Sequence, residues 1–276
     1  MVILKLSNLI KMRYFLHISY YGGNYRGWQS QGLGNSVQEV IEKNLSNIFK
    51  TPITCIGCGR TDAEVNASQY FLHFDLKQII DFDLVFRLNK VLPDDISVFE
   101  IINLPDNHHA RFDAISRTYD YFIHTQKDSF LSKLSACYQI GELNTQVMKA
   151  GVSLLTKYDD FRAFCKTPQA HNTTICMVSS AKLYMSENEK RLRFQITANR
   201  FLRGMIRILV EKLLELGKGK ITLKEFENML INKQTPRNLK FAYPQGLYLS
   251  KVEYPYLNIP EKSDYLISSN NQWIEL

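Results

Sequence analysis

Between residues 14 and 104 the hydrophobic pattern changes from strand alternation to helical periodicity and back, and after Pro105 a comparable succession begins again. Residues 14–20 alternate and are rich in aromatic and aliphatic side chains, which predicts a first strand, followed by a loop punctuated by Gly22, Gly23 and Gly27. A helix is expected from Ser36, which stands in capping-box spacing with Glu39, and Val37, Val40, Ile41, Leu45, Ile48 and Phe49 keep to one helical face. Strands at 54–58 and 69–74 flank a polar loop, a helix is expected over 81–92, and a strand at 97–103 closes the first half. The second half reads as a strand at 117–124, a helix at 145–157, strands at 175–185 and 191–197, and helices at 200–216 and 223–232. This pattern predicts an α+β chain of two α/β halves, 1–110 and 111–276, with no literal repeat between them. Residues 256–276 read as a loosely attached extension.

Composition narrows the partners. A chain of 276 residues with 45% apolar side chains has material for sizeable cores, and its formal net charge of +7 favours a polyanionic partner. The longest apolar runs fall short of a membrane span, and the first eleven residues lack the apolar core and small-residue cleavage site of a secretory signal. A cytoplasmic protein that makes no membrane contact is the expectation. Five cysteines form no disulfide framework, and the spacing of Cys55 and Cys58, without a second pair or nearby histidines, is better explained by small apolar residues packing a strand than by zinc. No glycine-rich nucleotide fingerprint, phosphate loop or serine elbow is present, so no cofactor and no metal are expected.

Three stretches carry residues suited to chemistry. The loop Gly57-Cys58-Gly59-Arg60-Thr61-Asp62-Ala63 sets an arginine and an aspartate between two expected strands, although alone it also fits a plain turn. Upstream, residues 20–29 interleave Tyr25, Arg26, Trp28 and Gln29 with glycines, which suits unstacked RNA bases and phosphates; the alternative is a loop whose aromatics fold into the core. Downstream, Arg111 and Arg117 put positive charge beside a strand on which Tyr119 and Tyr121 share one face. A ring there packs the sheet, or stacks on a base while its hydroxyl passes a proton. Arg200, Arg203 and Arg207 fall within a narrow arc of the helix expected over 200–216. Arg207 then either pairs with Glu211 on the surface or lies inward against a carboxylate. His108 and His109 point apart in an extended segment and read as solvated or RNA-facing.

In this order the motifs resemble the tRNA pseudouridine synthase A family, from about residue 14 to about residue 254. Gly59-Arg60-Thr61-Asp62 resembles that family's signature, and it stands between Tyr20 to Gln29 and Ala110-Arg111-Phe112. Further matches are Leu88-Asn89 with Leu92-Pro93, Arg117 with Tyr119 and Tyr121, Phe201-Leu202 with Met205 and Arg207, and Gly246-Leu247-Tyr248-Leu249. The resemblance implies two α/β halves whose antiparallel sheets join across a central basic cleft, a homodimer that binds tRNA, and conversion of uridine to pseudouridine at positions 38, 39 and 40 of the anticodon stem-loop. It implies that Asp62 is the nucleophile or base that frees uracil from the ribose, that Tyr119 stacks on the flipped base and helps remove the proton from C5, and that Arg207 pairs with Asp62. Arg60 would bind phosphate when the nucleotide leaves its stack, within a basic surface of Arg26, Arg60, Arg111, Arg200 and Arg203.

The chain departs from the family pattern after Asp62-Ala63, where Glu64-Val65-Asn66-Ala67 stands in place of Gly-Val-His-Ala. Glu64 adds a negative charge two residues from the catalytic carboxylate, and Asn66 can hydrogen-bond but cannot take up a proton. A catalytically impaired tRNA-binding or RNA-folding protein of the same fold is the competing reading. Such a protein need not keep Asp62, Tyr119 and Arg207 together.

Overall fold

In the computed structural model of the chain, which describes residues 11–32, 34–234, 236, 238–260, 262 and 273–276, the first alternating segment forms strand β1, Met12–Tyr20. Helix α1, Val37–Phe49, begins at Ser36 with the capping box complete: Ser36 Oγ accepts from the Glu39 amide and Glu39 returns a bond to the Ser36 amide. Strand β2 is short, Ile56–Gly57, and β3 is long, Asn66–Leu76. Helix α2, Leu84–Val91, is capped by the Asp83 side chain, and β4, Ile96–Leu104, completes the first half. Then follow β5 (Ser116–His124), the short β6 (Ala136–Cys137), α3 (Thr145–Leu154), β7 (Val178–Ser186) and β8 (Arg191–Ala198). Helices α4 (Met205–Gly217) and α5 (Leu223–Asn232), strand β9 (Leu247–Glu253) and strand β10 (Trp273–Glu275) complete the order.

Among the described residues the strands make one sheet, in the order β10-β7-β8-β5-β9-β3-β1-β4, with β2 paired to β3 and β6 to β5. Its pairs are antiparallel except β3 with β9 and β5 with β6. Strand β9 lies between β5 and β3: Leu249 pairs with Tyr119 of β5 on one side and with Ala67 of β3 on the other. The expected α+β class with mainly antiparallel pairing is what the chain adopts. One apolar core sets Val37, Ile41 and Leu45 of α1 against Tyr14, Leu16, Ile18, Tyr70, Leu72 and Phe74. The other sets α3, α4 and α5 against Tyr121, Ile123, Phe194 and Ile196. Leu249, Val252 and Tyr254 return from the C-terminal part of the chain to pack in the first core.

Two expectations are corrected. The helix expected from residue 200 starts at Met205, because the preceding backbone is committed elsewhere. The Asn199 carbonyl accepts from Arg117, the Arg203 carbonyl from the Lys166 amide, and Gly204 stands at φ +73 as the cap. A left-handed cap of that kind suits glycine, and a Cβ there would lie 2.6 Å from the Phe241 ring. Arg200 and Arg203 therefore lie on a turn before the helix, and only Arg207 lies on it. The extension at 256–276 is tied at its end, where β10 pairs with β7 as an edge strand and Trp273 packs near Phe122. Residues 263–272, like residues 1–10, are outside the described part. No helix of the described residues is long and apolar enough to cross a membrane.

Candidate active site

The aspartate loop lies between β2 and β3 and is supported from below by residues 20–28. Trp28 donates its amide to the Thr61 carbonyl at 3.2 Å, the Glu64 amide donates to Tyr25 O at 3.1 Å, and the hydroxyls of Tyr20 and Thr61 meet at 2.8 Å. Gly27 makes this contact possible. It stands at φ +89, and a Cβ on it would come within 2.5 Å of the Thr61 carbonyl oxygen. The same segment rests on the start of α1, whose first two amides, Val37 and Gln38, donate to Gly27 O and Trp28 O. Orphan helix amides thus hold the support in place.

The aromatics of this support are interior. Tyr25 is 5% and Trp28 2% exposed, Trp28 packs on Tyr70 with ring centroids 4.2 Å apart, and the Tyr25 hydroxyl bonds to Asp95. The expectation that Tyr25 and Trp28 stack on RNA bases is therefore corrected: their rings are spent on packing beneath the aspartate loop. Arg26, whose side chain projects outward, is exposed, and Gln29 is half-buried. Cys55 and Cys58 are buried free thiols of the same core, and burial pushes Cys58 up to about 11, so it stays protonated.

Asn66 ties the loop's far end. Its Oδ1 accepts from the Gly22 amide at 2.8 Å, and its Nδ2 donates to Gln245 O at 2.9 Å. The side chain is 1% exposed, so this departure from the family pattern occupies a structural joint between the glycine loop and the segment before β9. Asp62 and Arg60 remain accessible, Asp62 half-buried and Arg60 exposed.

Tyr119 comes to this loop from the other half of the sheet. It is half-buried on β5, edge-on to Phe201 with ring centroids 5.1 Å apart. Burial raises its phenol above the ordinary tyrosine value and the Asp62 carboxylate adds to that, while the Arg117 cation opposes it. Tyr119 is thus neutral at physiological pH and within electrostatic reach of Asp62. Tyr121, two residues on, is wholly buried, and its hydroxyl donates to Tyr243 O at 2.7 Å.

Arg207 does not pair with Asp62 in this structure, nor with Glu211; no ion pair within 4.0 Å joins it to either among the described residues. Its Nε donates to Ala242 O at 2.6 Å, the Ala242 amide donates to Arg207 O, and the guanidinium lies over the Phe241 ring. It fastens residues 241–243 to α4, because a charge-assisted bond to a carbonyl satisfies the cation without a carboxylate. Arg111 and Arg203 are exposed and Arg200 is half-buried. His108 and His109 are half-buried rather than solvated. His109 Nδ1 accepts from the Arg111 and Phe112 amides, and His108 packs against Tyr256. Phe112, which the sequence reading gave no role, is left 76% exposed beside Arg111.

These features define an α+β protein built on one mainly antiparallel sheet, with Asp62 accessible on the loop between β2 and β3 and a neutral, half-buried Tyr119 on β5. A family model described as tRNA pseudouridine synthase matches residues 158–255. The chain is similar to the tRNA pseudouridine synthase A of Azobacteroides pseudotrichonymphae, 38% identical over 88% of this chain and 97% of the relative. It is 39% identical to that of Bacteroides thetaiotaomicron, over 88% and 91%, and 34% identical to that of Exiguobacterium sibiricum, over 88% and 97%. The chain belongs to the tRNA pseudouridine synthase A family, a family of isomerases.

Proposed function

We propose that this enzyme acts on tRNA and isomerises uridine to pseudouridine at positions 38, 39 and 40 of the anticodon stem-loop. Asp62 acts at the ribose, as nucleophile or base. The C1′–N1 bond breaks, the uracil turns, and a C1′–C5 bond forms, while the hydrogen on C5 leaves as a proton and N1 takes a proton up from water. Every heavy atom is retained, so the step draws on no redox partner. Tyr119, protonated and half-buried, stacks on the turned base and passes that proton. Arg26, Arg60, Arg111, Arg200 and Arg203 contact phosphates, with Arg60 entering where the target nucleotide leaves its stack. Arg207 shapes the wall of the site through Ala242. The protein works as a cytoplasmic homodimer, with each tRNA touching both subunits.

The observation that supports this reading most is geometric: Asp62 is half-buried on the loop that leads into β3, Tyr119 is half-buried on β5, and β9 pairs with both strands, Leu249 standing opposite Ala67 and Tyr119. The experiment is tritium release from tRNA transcribed with uridine labelled at C5, followed by mapping of the modified positions with carbodiimide and primer extension. Release with stops at 38, 39 or 40 is the expected result. Binding without release would leave the family's fold serving recognition alone, and stops elsewhere would move the substrate assignment.

A further inference from the structure

Arg117 occupies the first position of the strand motif it shares with Tyr119 and Tyr121, and its guanidinium makes contacts that its place in the motif does not announce. Nη2 donates to Cys58 O at 2.9 Å and to Arg111 O at 2.7 Å; Nη1 donates to Ala114 O at 2.7 Å and to Asn199 O at 3.1 Å. Three separate stretches therefore meet on one planar group: the start of the Asp62 loop at Cys58, the segment from Arg111 to Ala114, and the residue before Arg200. The backbone beneath is fixed, because Arg117 is paired with Ala198 of β8 and Val252 of β9. Among the described residues no carboxylate lies within ion-pair range of Arg117, so four carbonyl dipoles hold a full positive charge beside the site.

We propose that Arg117 is a positioning residue for the isomerisation, holding the Asp62 loop and the two arginine-bearing segments at the spacing that the reaction needs. A guanidinium suits the task because its donors lie in one plane at fixed angles, whereas an ammonium presents the same charge as a point and cannot span four carbonyls. The same cation bears on the Tyr119 phenol, opposing the effect of burial. Arg117 thus links the chemistry to the phosphate contacts on both flanks, and the link runs through backbone rather than through a chain of side chains.

This inference rests on the proposed reaction, and its test separates the two. Full-length parent, Arg117→Lys and Arg117→Ala are assayed for single-turnover tritium release from labelled tRNA, for tRNA affinity, and for thermal unfolding. Loss of alignment by about 1 Å costs on the order of 100-fold in rate, so both variants should fall by about that factor, while tRNA affinity, which the displaced Arg111 and Arg200 segments share with other arginines, falls by clearly less than the rate. Guanidinium or methylguanidinium ion at millimolar concentration should restore the Arg117→Ala rate by about tenfold, since it refills the vacated plane, and should do nothing for the parent. A rate for Arg117→Lys within about threefold of the parent would overturn the proposal, as would a folded, tRNA-binding Arg117→Ala that guanidinium does not rescue. Should Arg117→Ala fail to fold, Arg117→Lys decides alone. No tritium release from the parent would instead remove the reaction on which the proposal stands.

Discussion

Residues 20–29 and residues 199–204 both mix glycine, aromatic side chains and arginine, yet they fold to opposite ends. In the first, Tyr25 and Trp28 are interior and the backbone is bonded to the aspartate loop and to α1. In the second, Arg203 is exposed, Arg200 is half-buried, and the backbone passes its carbonyls to Lys166 and Arg117. Removal of a large ring from water is favourable, whereas removal of a guanidinium is costly unless carbonyls or carboxylates answer it. In a loop that contains both, packing claims the rings and leaves the arginines outside. The first segment thus gives its rings to the support of the aspartate loop and leaves Arg26 outside, while the second leaves Arg203 exposed on a turn.

The largest expected effect isolates that chemistry. Asp62→Asn keeps the loop's shape and hydrogen-bonding capacity, so turnover should fall by more than about a thousandfold while tRNA affinity and thermal stability stay near those of the parent. Single-turnover tritium release with parallel binding measurements checks this. Residual activity within about tenfold of the parent would take the reaction away from Asp62 and with it the division of labour between the two segments.

The next effect tests the support. Trp28→Ala empties a ring site that is 2% exposed against Tyr70, and removal of such a side chain costs about 3 to 5 kcal/mol of stability. Urea unfolding of the full chain measures it. If Trp28 turned outward to stack on RNA, stability would hold within about 0.5 kcal/mol and tRNA affinity would fall instead. The arginine segment should behave the other way. Arg203→Ala should leave stability within about 0.5 kcal/mol, yet flatten the log-log dependence of tRNA affinity on salt by about 0.7 to 0.9 for a lost phosphate contact. An unchanged slope would place Arg203 outside the RNA path.

What the sequence made legible follows the range of the interactions that specify each element. The capping box at Ser36 and Glu39 is a local device, and α1 begins where it predicts. The start of α4 depends on where Lys166, Arg117 and Phe241 lie in space, so periodicity extended that helix by five residues across Gly204. Strand β9 was missed as a strand because its partners are distant: Tyr248 pairs in parallel with Asn66 and antiparallel with Asp120. At the site, Asp62 and Tyr119 were legible as residue types within an ordered set of motifs. The roles of Arg117 and Asn66 were not, because their partners are mainly backbone groups contributed by remote segments, and no side-chain pattern encodes a carbonyl. Arg207 carries the same lesson in reverse, since the motif pointed to a carboxylate partner and the fold supplied Ala242 O.

The smallest expected effect sits at the end of the loop that the first segment supports, on Glu64, whose amide donates to Tyr25 O. This residue stands at φ +64, in the left-handed region where an L side chain is strained and glycine is not. Its side chain is exposed, and among the described residues no cation lies within 4.0 Å of its carboxylate, so neither Arg60 nor the arginine segment answers its charge. Tyr21 registers that charge: burial raises its phenol first, and Glu64 and Asp95 raise it further. Glu64→Gly should act on both counts. Relief of the left-handed strain, less the added freedom of glycine in the unfolded chain, gives a stability gain of at most about 1 kcal/mol. Removal of the charge should tighten tRNA binding by a few-fold at about 10 mM salt, where the screening length is about 30 Å, and by almost nothing at 1 M, where it is about 3 Å. Affinities at the two salt concentrations, read beside urea unfolding, separate strain from charge. A stability gain with unchanged affinities would mean that the glutamate burdens the backbone alone and that its carboxylate faces away from bound tRNA.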